Sequence, residues 1–124
     1  MIYKIGEFSK QVGLSIDTLR YYEKEKLIVP HRKENNLRIY TDDDRTWIEF
    51  IKRLKSTGMS IRIIREYAIL RYKGDETISQ RMALLYDQRH RLEDEQESLQ
   101  EHINFINKKI SIYQKMEKKI YNTN

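Results

Sequence analysis

The sequence predicts a mainly α fold, with a head of short helices carrying one small β-hairpin and then a long C-terminal coiled-coil helix. Three observations carry that expectation. Near the start, Ile5, Phe8 and Val12 share one helical face, Gly13 permits a tight turn, and Ser15 can cap a second helix. Further on, His31 to Tyr40 reads as two extended runs around Asn35-Asn36, which tolerate the positive φ of a hairpin turn less easily than glycine would. From Ile78 to about Ile120, apolar residues recur every seven positions with nothing to break a helix.

The first two helices, about 5–24, join across a short glycine-bearing turn and so form a helix-turn-helix, the unit whose second helix enters the major groove of DNA. That second helix runs roughly from Ile16 to Lys24. Ile16 and Leu19 are expected to point inward, leaving Asp17, Thr18, Arg20, Tyr21 and Tyr22 around the other faces. Arg20 can donate a bidentate pair to guanine or grip a phosphate, while tyrosine hydroxyls reach phosphates and their rings pack on sugars. One of Tyr21 and Tyr22 is expected to serve the core instead.

After Leu27-Ile28-Val29-Pro30 comes the hairpin, read as a wing. Thr41 and Asp44 then make a capping box for a third helix carrying Trp47, Ile48, Phe50, Ile51 and Leu54 and stopped by Gly58. At that spacing Trp47 and Phe50 read as core. Ser60 caps a fourth helix, roughly Ile61 to Tyr72, ended by Gly74.

Thr77 and Gln80 form a further capping box for a last helix on the order of 60 Å long at ~1.5 Å per residue. Its seam reads Ile78, Leu85, Leu92, Leu99, Ile106, Tyr113 and Ile120, with Met82, Arg89, Gln96, Ile103, Ile110 and Glu117 as partner positions. A lone helix cannot bury such a stripe against a head this small, so a homodimer is expected, held by Leu85, Leu92, Leu99, Ile103, Ile106, Ile110 and Tyr113. Acidic Glu93, Asp94, Glu95, Glu97 and Glu101 precede basic Lys108, Lys109, Lys115, Lys118 and Lys119. Antiparallel pairing centred near Ile103 to Ile106 would set these blocks against each other, each exposed pair worth ~0 to 1 kcal/mol. The expected domains are 1–74 and 75–124.

Composition narrows the function. The chain of 124 residues has a net charge of +5, and residues 1–74 hold 16 basic against 10 acidic side chains while 75–124 hold 8 against 9. The positive excess sits with the helix-turn-helix, as a phosphate-binding surface requires. With no cysteine, disulfides, thiolate zinc sites and thiol redox switching are excluded. His31, His90 and His102 are scattered, the four glycines form no phosphate cradle, and no serine, histidine and carboxylate grouping appears. No catalytic residue, metal ligand or cofactor is expected. Without an apolar run long enough to cross a bilayer or a signal-peptide pattern, the expected location is cytoplasmic.

From Tyr3 to Tyr72 the chain resembles the MerR family of transcriptional regulators, through IGEFSKQVGLS, TLRYYEKEKLIVP, the RIY at 38–40 and IKRLKSTGMSI at 51–61. The resemblance implies a winged helix-turn-helix head, an antiparallel dimerisation helix, and action on double-stranded promoter DNA by untwisting and bending it for RNA polymerase. It also implies DNA contacts from Ser15, Asp17, Thr18, Arg20, Tyr21 and Tyr22, from Arg32, Arg38 and Tyr40 along the wing, and from Lys55 in a second wing. A sequence-tolerant architectural DNA binder and a coiled-coil adaptor are the alternative readings.

Three positions depart from the family pattern. Lys26 replaces a glycine after the second helix, and Asn36-Leu37 stands where Gly-Tyr is frequent. Through WIEFIKRLKSTGMSI the chain is similar to the aldehyde-responsive branch, yet Arg53 occupies that branch's cysteine position, so a thiol switch cannot operate there. Any small effector is expected near Tyr67, Tyr72 or Tyr86.

Overall fold

A computed structural model describes residues 1–122; the last two residues of the expected 75–124 segment lie outside the described residues. The elements are β1 (Ile2–Tyr3), α1 (Ile5–Val12), α2 (Ile16–Lys24), β2 (His31–Arg32), β3 (Arg38–Thr41), α3 (Asp42–Ser56), α4 (Ile61–Lys73), a 3₁₀ turn (Asp75–Thr77) and α5 (Ile78–Asn122). Their ends are set by local chemistry. Gly13 closes α1 at φ 67°, and the Ser15 hydroxyl opens α2 by accepting from the Thr18 amide. At α3 both bonds of the capping box are present, Thr41 N donating to Asp44 Oδ2 at 2.9 Å and Asp44 N to Thr41 Oγ1 at 3.2 Å. Ser60 caps α4 in the same way as Ser15 caps α2.

The three strands form one antiparallel sheet in the order β1-β3-β2, with Tyr3 opposite Tyr40 and Arg32 opposite Arg38. The hairpin between β2 and β3 is the expected wing. Asn36 takes φ 66°, its amide donates to Lys33 O at 2.8 Å, and Lys33 N donates to Leu37 O at 3.0 Å, a type I turn followed by a left-handed residue. Strand β1 was not foreseen.

The core of the head gathers Phe8 and Val12 from α1, Leu19 and Tyr22 from α2, Tyr40 from β3, and Trp47, Ile48, Ile51 and Leu54 from α3. Ile64, Tyr67 and Ala68 of α4 close it. Phe8 and Tyr40 stack with ring centroids 4.3 Å apart and planes at 7°. Trp47 is core as expected, whereas Phe50 remains partly exposed.

Two compact units result, Met1–Leu85 and a second beginning at Tyr86, so the division falls after Leu85 and not at 74. The reason is packing: Leu84 and Leu85, on the opening turns of α5, lie against the head core. Leu85 is therefore a head residue and not a free seam position. The box expected from Thr77 and Gln80 gives way to the 3₁₀ turn, because the Thr77 hydroxyl donates back to Leu70 O at 2.6 Å and Gly74 O at 2.7 Å. In the second unit α5 carries no buried residue among those described, and Leu92, Leu99, Ile103, Ile106, Ile110 and Tyr113 are all exposed. No described helix is long and apolar enough to cross a membrane.

Candidate nucleic-acid interface

Helix α2 buries Leu19 and Tyr22, and its opposite face offers Asp17, Arg20 and Tyr21 to solvent. Among the described residues Arg20 carries only a long i, i+3 ion pair to Asp17, 3.8 Å and exposed, which leaves its guanidinium available. Ser15 and Thr18 pair through their hydroxyls at 2.8 Å at the N-terminus of the helix. Ile16 does not point inward as expected. It lines a groove of about 750 Å³ between α1, α2 and the wing, together with Leu37, the cationic Lys4, Lys10, Arg20 and Arg38, and one carboxylate, Glu7. Its aliphatic floor and cationic rim suit a sugar-phosphate strand, deoxyribose against Ile16 and Leu37 and phosphate oxygens towards the rim.

Two of the tyrosines expected on this surface are core residues. Tyr22 is 2% exposed; its hydroxyl takes a hydrogen bond from Lys55 Nζ at 3.3 Å, so the ring cannot pack on a sugar. Tyr40 is fully buried beneath Phe8, and its hydroxyl has no hydrogen-bond partner among the described residues. Burial pushes that hydroxyl's pKa up to about 12, and the same burial keeps it out of reach of DNA. The alternation of β3 puts Tyr40 on the core side while its neighbours are only partly buried. Lys55 lies exposed near the end of α3, its ammonium 5.5 Å from the Tyr22 ring centroid.

The geometry also reveals a residue that spacing could not expose. Glu23, on α2, receives Arg38 Nε at 2.5 Å and Arg32 Nη2 at 2.7 Å, while Arg32 Nη1 donates to Asn36 O at 3.0 Å across the wing turn. One carboxylate thus ties both wing arginines to the reading helix. Burial opposes the charge on Glu23, but the hydrogen bonds and positive charges of Arg38 and Arg32 outweigh it and hold the carboxyl below its ordinary range. Arg65 of α4 makes the corresponding tie at the end of α2, its guanidinium bonded to the Glu25 carboxylate and to Glu25 O. These partners lie 9, 15 and 40 positions apart, beyond any local pattern.

Lys26 follows at φ 62°, the left-handed conformation that a glycine would take without strain. Arg53 and Lys55 both fall in the last turn of α3, where positive charge faces the negative end of the helix dipole. Arg53 is exposed and holds no thiol chemistry.

A helix-turn-helix with a β-hairpin wing, an exposed face on the second helix and a predominantly cationic groove beside it defines a winged helix-turn-helix DNA-binding regulator. Comparisons with known proteins carry the assignment further. Residues 3–68 match the family described as MerR HTH family regulatory protein, and residues 45–108 match the one described as MerR, DNA binding. The chain is 45% identical over 89 residues to the HTH-type transcriptional regulator AdhR of Bacillus subtilis, covering 71% of this chain and 64% of AdhR, less than two thirds of its length. It is 33% identical over 117 residues to an uncharacterized HTH-type transcriptional regulator of Haemophilus influenzae, covering 93% and 86% of the two chains.

Among solved structures, the chain resembles HiNmlR, a MerR family regulator lacking the sensor domain and bound to promoter DNA, at 32% identity and a TM-score of 0.73 over 94% of each chain. A MerR family transcriptional regulator from Bacillus thuringiensis superposes with a TM-score of 0.68 at 32% identity, covering 91% of this chain and 100% of that one. The chain belongs to the MerR family of helix-turn-helix transcriptional regulators.

Proposed function

We propose that the protein is a homodimeric regulator that binds twofold-symmetric promoter DNA, placing α2 of each copy in one of two successive major grooves. Arg20 reads base edges or grips phosphate, with Asp17, Tyr21, Ser15 and Thr18 beside it. Arg32, Arg38 and Lys55 address the flanking backbone, and the groove rimmed by Lys4, Lys10 and Arg20 takes the strand between helix and wing.

The dimer is held by Leu92, Leu99, Ile103, Ile106, Ile110 and Tyr113, paired antiparallel about Ile103 and Ile106. Two heads gripping one duplex can distort the DNA between them, at a cost of ~1 to several kcal/mol offset by phosphate contacts, and so present the promoter to RNA polymerase. The protein acts in the cytoplasm by this reading. The observation that carries it is the cationic groove lying directly beside the exposed face of α2.

Selection from random duplexes, followed by footprinting of the enriched site, tests it. The expected product is an inverted repeat protected on both halves with steep salt dependence. Enrichment of no repeat, or equal affinity for every duplex at matched salt, would overturn the proposal in favour of an architectural binder.

A further inference from the structure

On the α3–α4 side of the head is a cavity of about 320 Å³ that the DNA-binding reading does not use. Its walls are aromatic. Trp47 and Tyr67 stack with centroids 5.9 Å apart and planes at 14°, and Phe50 stands 5.6 Å from Tyr67 and 6.0 Å from Trp47. Thr46, Arg71 and Arg81 complete the lining, which contains no carboxylate. The Arg71 guanidinium lies 4.4 Å over the Trp47 ring, and Arg81 is fixed by donating to Thr77 Oγ1 at 3.1 Å and Gly74 O at 3.2 Å. Neither arginine has an acidic partner among the described ion pairs. We propose that this cavity binds a planar aromatic carboxylate, its ring set against the exposed Phe50, beside the largely buried rings of Trp47 and Tyr67, and its oxygens held by Arg71 and Arg81.

The chemistry of the lining selects that class. Flat rings favour a flat apolar body, and two guanidiniums with no carboxylate among the described ion pairs favour an anion: Arg71 can meet a carboxylate with two parallel N–H donors, and Arg81, whose Nε and Nη2 already hold Thr77 and Gly74, with its remaining Nη protons. A cation would face two like charges and no acceptor stronger than a hydroxyl or ring face. A volume near the low end of ordinary ligand pockets limits the body to one or two rings.

The cavity wall is also bonded to the segment that joins reading helix and wing. Trp47 Nε1 donates to Leu27 O at 2.7 Å, Val29 N donates to the Tyr72 hydroxyl at 3.1 Å, and Arg71 lies 5.1 Å over the Tyr72 ring as well as over Trp47. A ligand that draws Arg71 towards its carboxylate therefore loosens or resets both ties on residues 27–29. This gives the regulator an effector site within its head, a consequence that rests on the DNA-binding reading, whereas the site itself does not.

The chain has one tryptophan, so its indole N–H signal reports this cavity alone. The test is titration of the full chain with 4-(trifluoromethyl)benzoate, following the Trp47 indole resonance and the ¹⁹F signal of the probe, with 4-(trifluoromethyl)benzyl alcohol as the neutral counterpart. The expected result is a saturable shift with the carboxylate, binding at least about tenfold weaker for the alcohol and for Arg71→Gln. Arg81→Gln should weaken the carboxylate too, and serves if Arg71→Gln does not fold.

Equal binding of acid and alcohol would overturn the proposal, as would binding indifferent to both substitutions. An indole signal that responds to protein concentration and never to the probe would assign the cavity to a second copy of the chain and equally end it. If the carboxylate binds but leaves affinity for the selected DNA site unchanged, the coupling to residues 27–29 is refuted while the site stands.

Discussion

The unit up to Leu85 and the helical segment from Tyr86 to Asn122 treat their apolar side chains in opposite ways. The first buries Phe8, Leu19, Ile48, Ile51 and Ile64 completely, around a core that draws on every helix of the head. The second buries nothing, although Leu99, Ile103, Ile106 and Ile110 are each about half exposed or more on a stretch otherwise dense with charge. An isolated helix gains its stability from packing an apolar face, so the second unit is unfinished where the first is complete. In the proposed function, recognition chemistry sits on the self-sufficient part, and assembly is left to the part that needs a partner.

The largest expected effect comes from breaking the seam. With about 1.5 to 3 kcal/mol for each buried isoleucine and two copies of each, Ile103→Glu with Ile106→Glu should raise the dimer dissociation constant at least about a thousandfold. Sedimentation velocity reads that change, and the Trp47 near-ultraviolet signal should persist because the head keeps its own core. Loss of that signal along with the dimer would mean that the two units are not independent in folding.

Arg20→Ala acts only on the other side of the comparison. It should weaken binding to a selected site by ~1 to 3 kcal/mol, measured by fluorescence anisotropy, with the dimer unaltered. Unchanged affinity would remove Arg20 from the reading role.

Glu23→Gln sharpens the account of how the head holds its wing. Loss of charge-assisted bonds to Arg32 and Arg38 should cost about 1 to 2 kcal/mol of head stability at neutral pH. The folded carboxyl titrates below its ordinary value of 4.5, so its contribution is fully present above that value and fades as pH falls through the lower, folded one. The gap in denaturation midpoint between wild type and Glu23→Gln should therefore close on acidification. A gap independent of pH would show that the ion pairs contribute nothing.

The smallest effect belongs to Lys26→Gly. A lysine at φ 62° carries ~1 to 2 kcal/mol of strain that glycine relieves, partly offset by glycine's greater freedom in the unfolded chain. A net gain of about 0.5 to 1 kcal/mol in chemical denaturation is expected, and a loss would show that the lysine side chain stabilises the turn in another way.

What the sequence made legible follows the same division between local and distant causes. Gly13, Ser15, the Thr41 and Asp44 pair and Ser60 act within one helical turn, and the end of α1 and the starts of α2, α3 and α4 fall where these residues place them. Strand β1 escaped notice because its two residues acquire meaning only opposite Tyr40 and Thr41. Tyr22 and Tyr40 carry the same polar hydroxyl as exposed tyrosines, and only the packing of Leu19 beside the one and Phe8 over the other decides their burial. Thr77 looked like a cap until the carbonyls of Leu70 and Gly74 came within reach of its hydroxyl.

The geometry of the proposed DNA-facing surface was half visible. Arg20 and Tyr21 stand on the exposed face that helical spacing assigns them, but the hold of Glu23 on two wing arginines and the turn of Ile16 into the groove are products of tertiary approach. The heptad repeat from Leu92 to Tyr113 was legible because a seven-residue spacing is itself local, whereas Leu85 fits the same repeat and yet packs on the head.

Light-scattering mass of the complex with a selected inverted-repeat duplex tests the account most directly. Two chains of 15.2 kDa per duplex at micromolar protein, with much weaker binding, still of two chains, to a duplex carrying a single half-site, is the predicted result. A single chain bound to the full repeat, at the same affinity as to a half-site, would contradict it.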